Sequence, residues 1–211
     1  MAKNLEPKCK QCRRLGEKLF LKGDRCETTK CGITKRNYPP GAQGPKSKYT
    51  KPSGYAIQLA EKQKAKKQYN ILEKQFKLTF NKGKKLPGDS GENLLRILEM
   101  RFDNVIFRAG FAKSKPQARA NANHYHYLIN GNKVNIPSCQ VKKGDIIELT
   151  PRSKKSKLYK TLQESLKKIT APGWLNVDSE KLSIKVLHNP TNEDLSVIKI
   201  NTQIIVEFYS R

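Results

Sequence analysis

The sequence predicts an α+β fold, and three observations predict it. Apolar residues recur at helical spacing from Tyr55 to Asn123. The period then changes to two-residue alternation around Asn130-Gly131. Two close pairs of cysteines sit in a first fifty residues otherwise rich in turn formers.

Residues 1–50 carry Cys9, Cys12, Cys26 and Cys31, then Pro39-Pro40-Gly41 and Gly44-Pro45. Such a stretch buries little by itself and needs a staple or a partner. From Tyr55 to Phe80 one long helix or two stacked ones are expected, with Tyr55, Leu59, Ala65, Tyr69, Leu72, Phe76 and Phe80 as the apolar stripe. Residues 82–88 form a break. Asp89-Ser90-Gly91-Glu92 has the spacing of a capping box for a helix that buries Leu94, Leu95, Leu98 and Phe102. Asp103 is expected to cap a short second helix that Gly110 ends, and Ser114-Lys115-Pro116 starts a third that runs to about Asn123. Strands at 127–129 and 134–136 flank the Asn130-Gly131 turn, and 141–149 gives a turn and another strand. A helix is expected over 158–169, and late strands through Leu182-Ile184-Val186 and Ile204-Val206-Phe208.

Charge narrows the function. The chain of 211 residues has 43 Lys and Arg against 18 Asp and Glu, a net of +25. Self-repulsion on that scale calls for a polyanion. Residues 1–88 hold 23 basic and 6 acidic residues, 89–170 hold 16 and 7, and 171–211 hold 4 and 5. The nucleic-acid surface is therefore expected in the first 170 residues. No apolar run is long enough to span a bilayer, and no signal peptide opens the chain, so a cytosolic or organellar protein with no membrane partner is expected. No nucleotide-binding glycine motif, carboxylate pair or other catalytic set appears, so neither an enzyme nor a small-molecule substrate is expected. His124 and His126 lack a nucleophile or carboxylate at a useful spacing and read as RNA-contacting or core-edge residues.

The cysteines read as a metal site. Two close pairs separated by a loop suit tetrahedral Zn2+, with Cys9, Cys12, Cys26 and Cys31 as ligands and one ion per chain. Four thiolates close the coordination sphere, so the metal is structural. An iron–sulfur cluster, or no metal, are the alternatives. Cys139 has no close partner and reads as a small buried side chain.

The basic side chains divide between two regions. In the first, Lys8, Arg13, Arg14, Lys18, Lys46 and Lys48 accompany the cysteines, and Lys62, Lys64, Lys66 and Lys67 form a lysine face on the helix after Tyr55. A lysine face is ordinarily solvated, but in so basic a chain it reads as phosphate contact. In the second, helices present Arg96, Arg101, Arg108, Lys113, Lys115 and Arg119.

The stretches "FDNVIFRAGFAKSKPQARA" and "INGNKVNIPSCQVKKGDIIEL" resemble the RNA-binding module named after the fourth protein of the small ribosomal subunit. "CKQCRRLGEKLFLKG", "GYAIQLAEKQKAKKQY", "GENLLRILEMRFDNV" and "VEFYSR" extend the resemblance to the whole bacterial-type ribosomal protein family. The resemblance implies a zinc-stapled amino-terminal region (1–50), a helical rRNA-binding domain (51–90), the RNA-binding module with its following helix (91–170) and carboxy-terminal strands packing back on the body (171–211). It implies contact of Arg96, Arg101, Arg108, Lys113, Lys115, Arg119, His124 and Lys133 with RNA. It further implies direct binding of small-subunit rRNA, nucleation of subunit assembly, a position near the mRNA entrance, and influence on decoding accuracy shared with a neighbouring protein. An RNA-modifying enzyme carrying the same module would need a catalytic domain for which about 60 residues after it leave no room. A small stress protein that binds stalled ribosomal particles would lack the long basic first half. One departure stands out. The family has a His-Gly-His step where this chain has His124-Tyr125-His126. Either the turn differs here or Tyr125 adopts a left-handed backbone at a cost.

Overall fold

The computed structural model describes residues 4–46, 51–156, 159, 162–166 and 169–210. Two compact units divide the chain: residues 1–94 with 199–211, and residues 95–198.

The first unit is helical. α1 (Lys8–Leu15) ends at Gly16 with φ 73°. It supplies Cys9 and Cys12 from a segment the sequence reads as loop. A 3-10 turn (Gly23–Cys26) and the one-turn α2 (Gly32–Lys35) follow. The stretch from Tyr55 forms two helices, α3 (Gly54–Gln68) and α4 (Glu73–Lys84). Ser53 caps α3 by accepting from the Ala56 amide. Asn70, at φ 53°, turns the chain between the two.

The expected strand at 204–208 is instead a helix at the end of the chain, labelled α11 (Thr202–Ser210) below. Ile204, Val206 and Phe208 alternate, but Ile205, Phe208 and Tyr209 equally fit one helical face, and a short apolar run does not separate the two periods. Packing decides for the helix. Ile205 is fully buried. The Tyr209 ring stacks on Phe80 at 4.7 Å and Phe76 at 6.2 Å, and Phe208 meets Tyr55 at 5.9 Å.

α5 (Ser90–Glu99) leads into the second unit. Asp89 accepts from the Glu92 amide at 2.8 Å, as the capping spacing requires. α6 (Phe102–Arg108) and α7 (Lys115–Asn123) pack together. Phe102 begins α6 rather than ending α5. Asp103 does not cap α6: Arg101 holds the cap position, and Asp103 turns inward to pair with it. Ser114 caps α7 as expected, accepting from the Gln117 amide. Gly110 ends α6 at φ 82°. A side chain there would also meet Ile169 Cδ1 at 2.9 Å.

The sheet has order β2-β1-β3-β5-β4, antiparallel throughout. β1 (Tyr127–Ile129) and β2 (Asn132–Lys133) close a two-residue hairpin on Asn130 and Gly131, both at positive φ. Pairing therefore begins at Asn132, two residues before the expected strand. β3 (Ile146–Leu149), β4 (Leu175–Asp178) and β5 (Ser183–Val186) complete it. The short α8 (Pro151–Lys154), α9 (Leu162–Leu166) and α10 (Asn192–Ser196) lie between strands or after them. The 158–169 helix is described only at Tyr159, α9 and Ile169. The core gathers Phe102, Ile106, Tyr127, Ile147, Trp174 and Ile184, with Cys139 half-buried against it. Tyr159 donates to the Tyr127 hydroxyl at 3.2 Å.

In the first unit Glu73 receives Lys62 at 2.7 Å, Lys66 at 2.9 Å and the Tyr209 hydroxyl at 3.0 Å. Partial burial pushes its carboxyl up, but these donors outweigh that and hold it at about 2. Its stabilising contribution is complete above the ordinary value of 4.5 and disappears as pH falls through about 2. Glu73→Gln is expected to lower stability at neutral pH by about 1–2 kcal/mol, less than for a fully buried pair because the carboxylate is half exposed. Urea unfolding from pH 2 to 7 checks this: the variant should lose less stability than the parent on acidification below 4.5.

Candidate nucleic-acid interface

The structure sorts the sequence-selected cations into exposed, tethered and interior groups. In the first unit Arg14, Lys18 and Lys46 are exposed. Lys48 lies outside the described residues. Lys8 is tethered by donating to the Asn4 carbonyl and Asn70 Oδ1. Arg13 donates to the carbonyls of Tyr38 and Pro39 and lies over the Tyr38 ring.

The lysine face of α3 turns inward more than the sequence suggests. Lys62 is 6 % exposed, paired to Glu73 and 4.5 Å from the Phe208 ring centre. Lys67 is buried, and burial with Arg14 and Lys66 nearby holds its ammonium below its ordinary range, against the opposing pull of Glu6. Lys64 reaches Glu17 at 2.9 Å, and Lys66 reaches Glu73. The exposed lysines are instead Lys74, Lys77, Lys82, Lys84 and Lys85 along and after α4. Phe76, Phe80 and Gly83 recur at helical spacing as the buried face of α4, and the lysines fall off that face.

In the second unit Lys113, His124 and Lys133 are exposed. Arg96 is tethered to the Pro190 carbonyl and Asn192 Oδ1. Arg101 is 2 % exposed and forks onto Asp103 at 2.8 and 3.1 Å. Arg119 lies 3.7 Å from the same carboxylate. Arg108 forks onto Glu99 at 2.8 and 2.9 Å. Lys115 is buried with its ammonium 5.7 Å from the Phe107 ring centre. Four of the module's cations thus form an interior network with two carboxylates.

A groove of about 1140 Å³ opens in this unit, lined by residues 124–126, Lys133, 150–153, Lys155 and Ser156, with no acidic residue among them. The sequence leaves Tyr125, Arg152 and Lys155 out of the candidate set, yet all three line this groove exposed. His126 Nδ1 lies 2.7 Å from Ser153 Oγ, which also accepts from Thr150 Oγ1. Burial and neighbouring His124 hold the His126 imidazole below its ordinary range. Tyr125 takes φ 57°, so the turn keeps its left-handed form and the tyrosine bears the cost.

The four amino-terminal cysteines are free thiols. Cys12, Cys26 and Cys31 are buried and Cys9 half-buried. The Leu19 amide donates to Cys12, the Lys22 amide to Cys26, and the Ile33 and Thr34 amides to Cys31. Burial pushes the Cys12 thiol up, and the charges of Cys26, Cys9 and Cys31 add to the effect, so the four lie in one electrostatic neighbourhood. A side chain at Gly32 would meet Cys9 Cβ at 2.8 Å, which places the backbone after Cys31 against α1. The sulfurs do not close into a coordination sphere: among the described residues no three His, Cys, Asp or Glu side chains come together as a metal site. The donor chemistry fits a thiophilic ion, while the expected zinc staple is not present as an assembled ligand set. Among the described residues no helix is long and apolar enough to cross a membrane.

Comparison with known proteins gives matches over most of the chain. Residues 3–99 match the family described as ribosomal protein S4/S9 N-terminal domain, and residues 100–147 match the S4 domain. The small ribosomal subunit protein uS4 of Syntrophomonas wolfei is 49 % identical over 211 residues, the full length of both chains. Those of Halothermothrix orenii and Clostridioides difficile are 50 % and 48 % identical over the same full length.

The interior network carries a pH signature. Burial lowers the Lys115 ammonium from an ordinary 10.5 to about 7, with Arg108 and Arg101 adding to that effect and Glu99 and Asp103 opposing it. A lysine depressed in the fold costs stability wherever it is charged. Stability should therefore rise as pH increases from about 7 toward 10.5. Lys115→Met should raise stability at pH 7 and flatten this rise, as read from urea midpoints between pH 6 and 9. Equal slopes in parent and variant would contradict the assignment.

Proposed function

The chain belongs to the uS4 family of small-ribosomal-subunit proteins, and from that premise we propose that it is a non-catalytic constituent of the cytoplasmic small subunit that binds its rRNA directly. One observation carries the reading: a full-length match to that family in a chain whose exposed cations greatly outnumber its exposed anions. Lysine and arginine meet phosphates as point charges and planar forks. A folded RNA junction is recognised mainly by backbone shape and not by base sequence.

The structure supports a division of labour among the cations. Exposed Arg14, Lys18, Lys46, Lys113, His124 and Lys133 are placed to meet phosphate. Lys8, Arg13, Lys64, Lys66 and Arg96, tethered on one side, add directed contacts. Lys62, Lys67, Arg101, Arg108, Lys115 and Arg119 fix the helices that present the others. In this role the protein nucleates assembly of the subunit body and lies near the mRNA entrance. There it shares influence on decoding accuracy with a neighbouring ribosomal protein.

Retention of the protein on a small-subunit rRNA transcript should fall steeply with salt, by roughly 10³ to 10⁵ in affinity between about 50 and 200 mM for six to ten neutralised phosphates. Lys113→Ala with Lys133→Ala should reduce the slope of log affinity against log salt by roughly one to two. Filter binding across that salt range measures both. A flat response in the parent protein would defeat the electrostatic reading.

The four thiols support a further proposal, a structural zinc held by Cys9, Cys12, Cys26 and Cys31. The ion would supply cross-linking of α1 to the segment around α2, in a region whose described apolar cluster of Cys12, Leu19 and Leu21 is small. The amides already directed at three of the sulfurs would stabilise thiolates once formed. Elemental analysis should find about one zinc per chain, and chelation should speed amide exchange across residues 4–46. A metal-free protein with the same exchange pattern would remove the site.

A further inference from the structure

Three helices end in the same turn. In each, the residue after the last turn has positive φ and its amide bonds back to the third residue before it, while the next amide bonds to the fifth residue before it. α3 closes this way at Asn70, α6 at Gly110 and α7 at Tyr125. Glycine and asparagine are the residues such a turn favours, and an aromatic residue is strained in it. The fold accepts that strain at one of three equivalent positions.

The ring placed there is not packing material. Tyr125 is 50 % exposed. Its hydroxyl accepts from Asn135 Nδ2 at 2.7 Å, so the ring is fixed at its tip while its body faces solvent. It stands in the groove that also contains Lys133, Arg152 and Lys155. The floor is set by the His126–Ser153–Thr150 chain of hydrogen bonds. A rigid, exposed aromatic ring flanked by cations without anions is the combination that takes an unpaired nucleotide: the base stacks on the ring and adjoining phosphates meet the cations.

We propose that Tyr125 is a stacking platform for one unpaired base of RNA, with Lys133, Arg152 and Lys155 holding the phosphates on either side of it. This rests on the RNA-binding reading above and deepens it by naming the kind of nucleotide that the groove takes.

The test uses the full-length protein and two probes: a small-subunit rRNA transcript, and an RNA duplex of roughly 20 base pairs with no unpaired base. Tyr125→Gly removes the ring and relieves the left-handed strain, so it should fold at least as well as the parent, as circular dichroism and a melting curve will confirm. It is expected to lose about 10- to 100-fold in affinity for the transcript, the usual effect of deleting one stacking partner. It should leave duplex affinity and the salt slope unchanged. Tyr125→Phe, which keeps the ring, should stay within about twofold of the parent. Arg152→Ala with Lys155→Ala should lower the transcript salt slope by roughly one to two. Transcript affinity unchanged in Tyr125→Gly, or equal losses on both probes, would overturn the stacking assignment. So would a groove occupied by protein, which would leave RNA affinity unmoved by all three changes. A parent protein that binds neither probe would instead overturn the RNA reading itself.

Discussion

Arg101 and Arg108 each fork onto a carboxylate, Asp103 and Glu99, and these two acids anchor the corner where α5 passes into α6. Glu99 also accepts from the Asn104 amide group at 2.8 Å. The Phe102 amide donates to the Cys139 carbonyl, and the Val141 amide to the Met100 carbonyl. The corner therefore ties helices and the approach to the sheet together. A chain with a net charge of +25 has few anions to spare, and here two of them neutralise a buried cluster. Removing Asp103 would leave the buried Arg101 guanidinium without its forked partner, which is far costlier than never having buried it.

That constraint governs which cations remain for a polyanion. Glu73 performs the same task for Lys62 and Lys66 in the first unit. Cations that are themselves buried against a carboxylate, such as Lys62 and Arg101, become structural. Those whose helix face or hairpin turns outward, such as Lys77 and Lys133, keep their charge available. The carboxy-terminal stretch, nearly neutral, forms the apolar α11 and the β4–β5 pair and adds little to that surface. Charge distribution along the sequence thus separates the packing elements from the basic region. It does not separate interior from exterior cations within that region.

The limits of legibility have the same origin. Local chemistry marks the caps at Asp89 and Ser114, the Asn130-Gly131 hairpin and the Gly110 stop, because each depends on neighbours in sequence. The pairing of Arg101 with Asp103 is two residues apart yet hidden, since the same spacing suits a solvent-facing arginine. Asp103 resembles a helix cap for the same reason. The helical state of Thr202–Ser210 depends on Phe76 and Phe80, more than 120 residues earlier, so no local pattern could decide it. The basic groove was invisible because it joins the end of α7, the hairpin and the α8 segment only through the sheet.

Tyr125 shows where sequence and structure together say more than either. In the sequence it is a bulky residue where a family pattern has glycine, which signals only a possible defect. In the structure its backbone does what glycine's would, at a cost that Asn70 and Gly110 avoid in the same turn. Packing does not account for the choice, because the ring lies half in solvent and gains a single hydrogen bond at its tip. A left-handed aromatic held by a cost the fold need not bear is explained by what the exposed ring can do for a ligand. The adjoining cations restrict that ligand to one with negative charge on both sides of a flat apolar group, and an unpaired nucleotide in an RNA chain has that form.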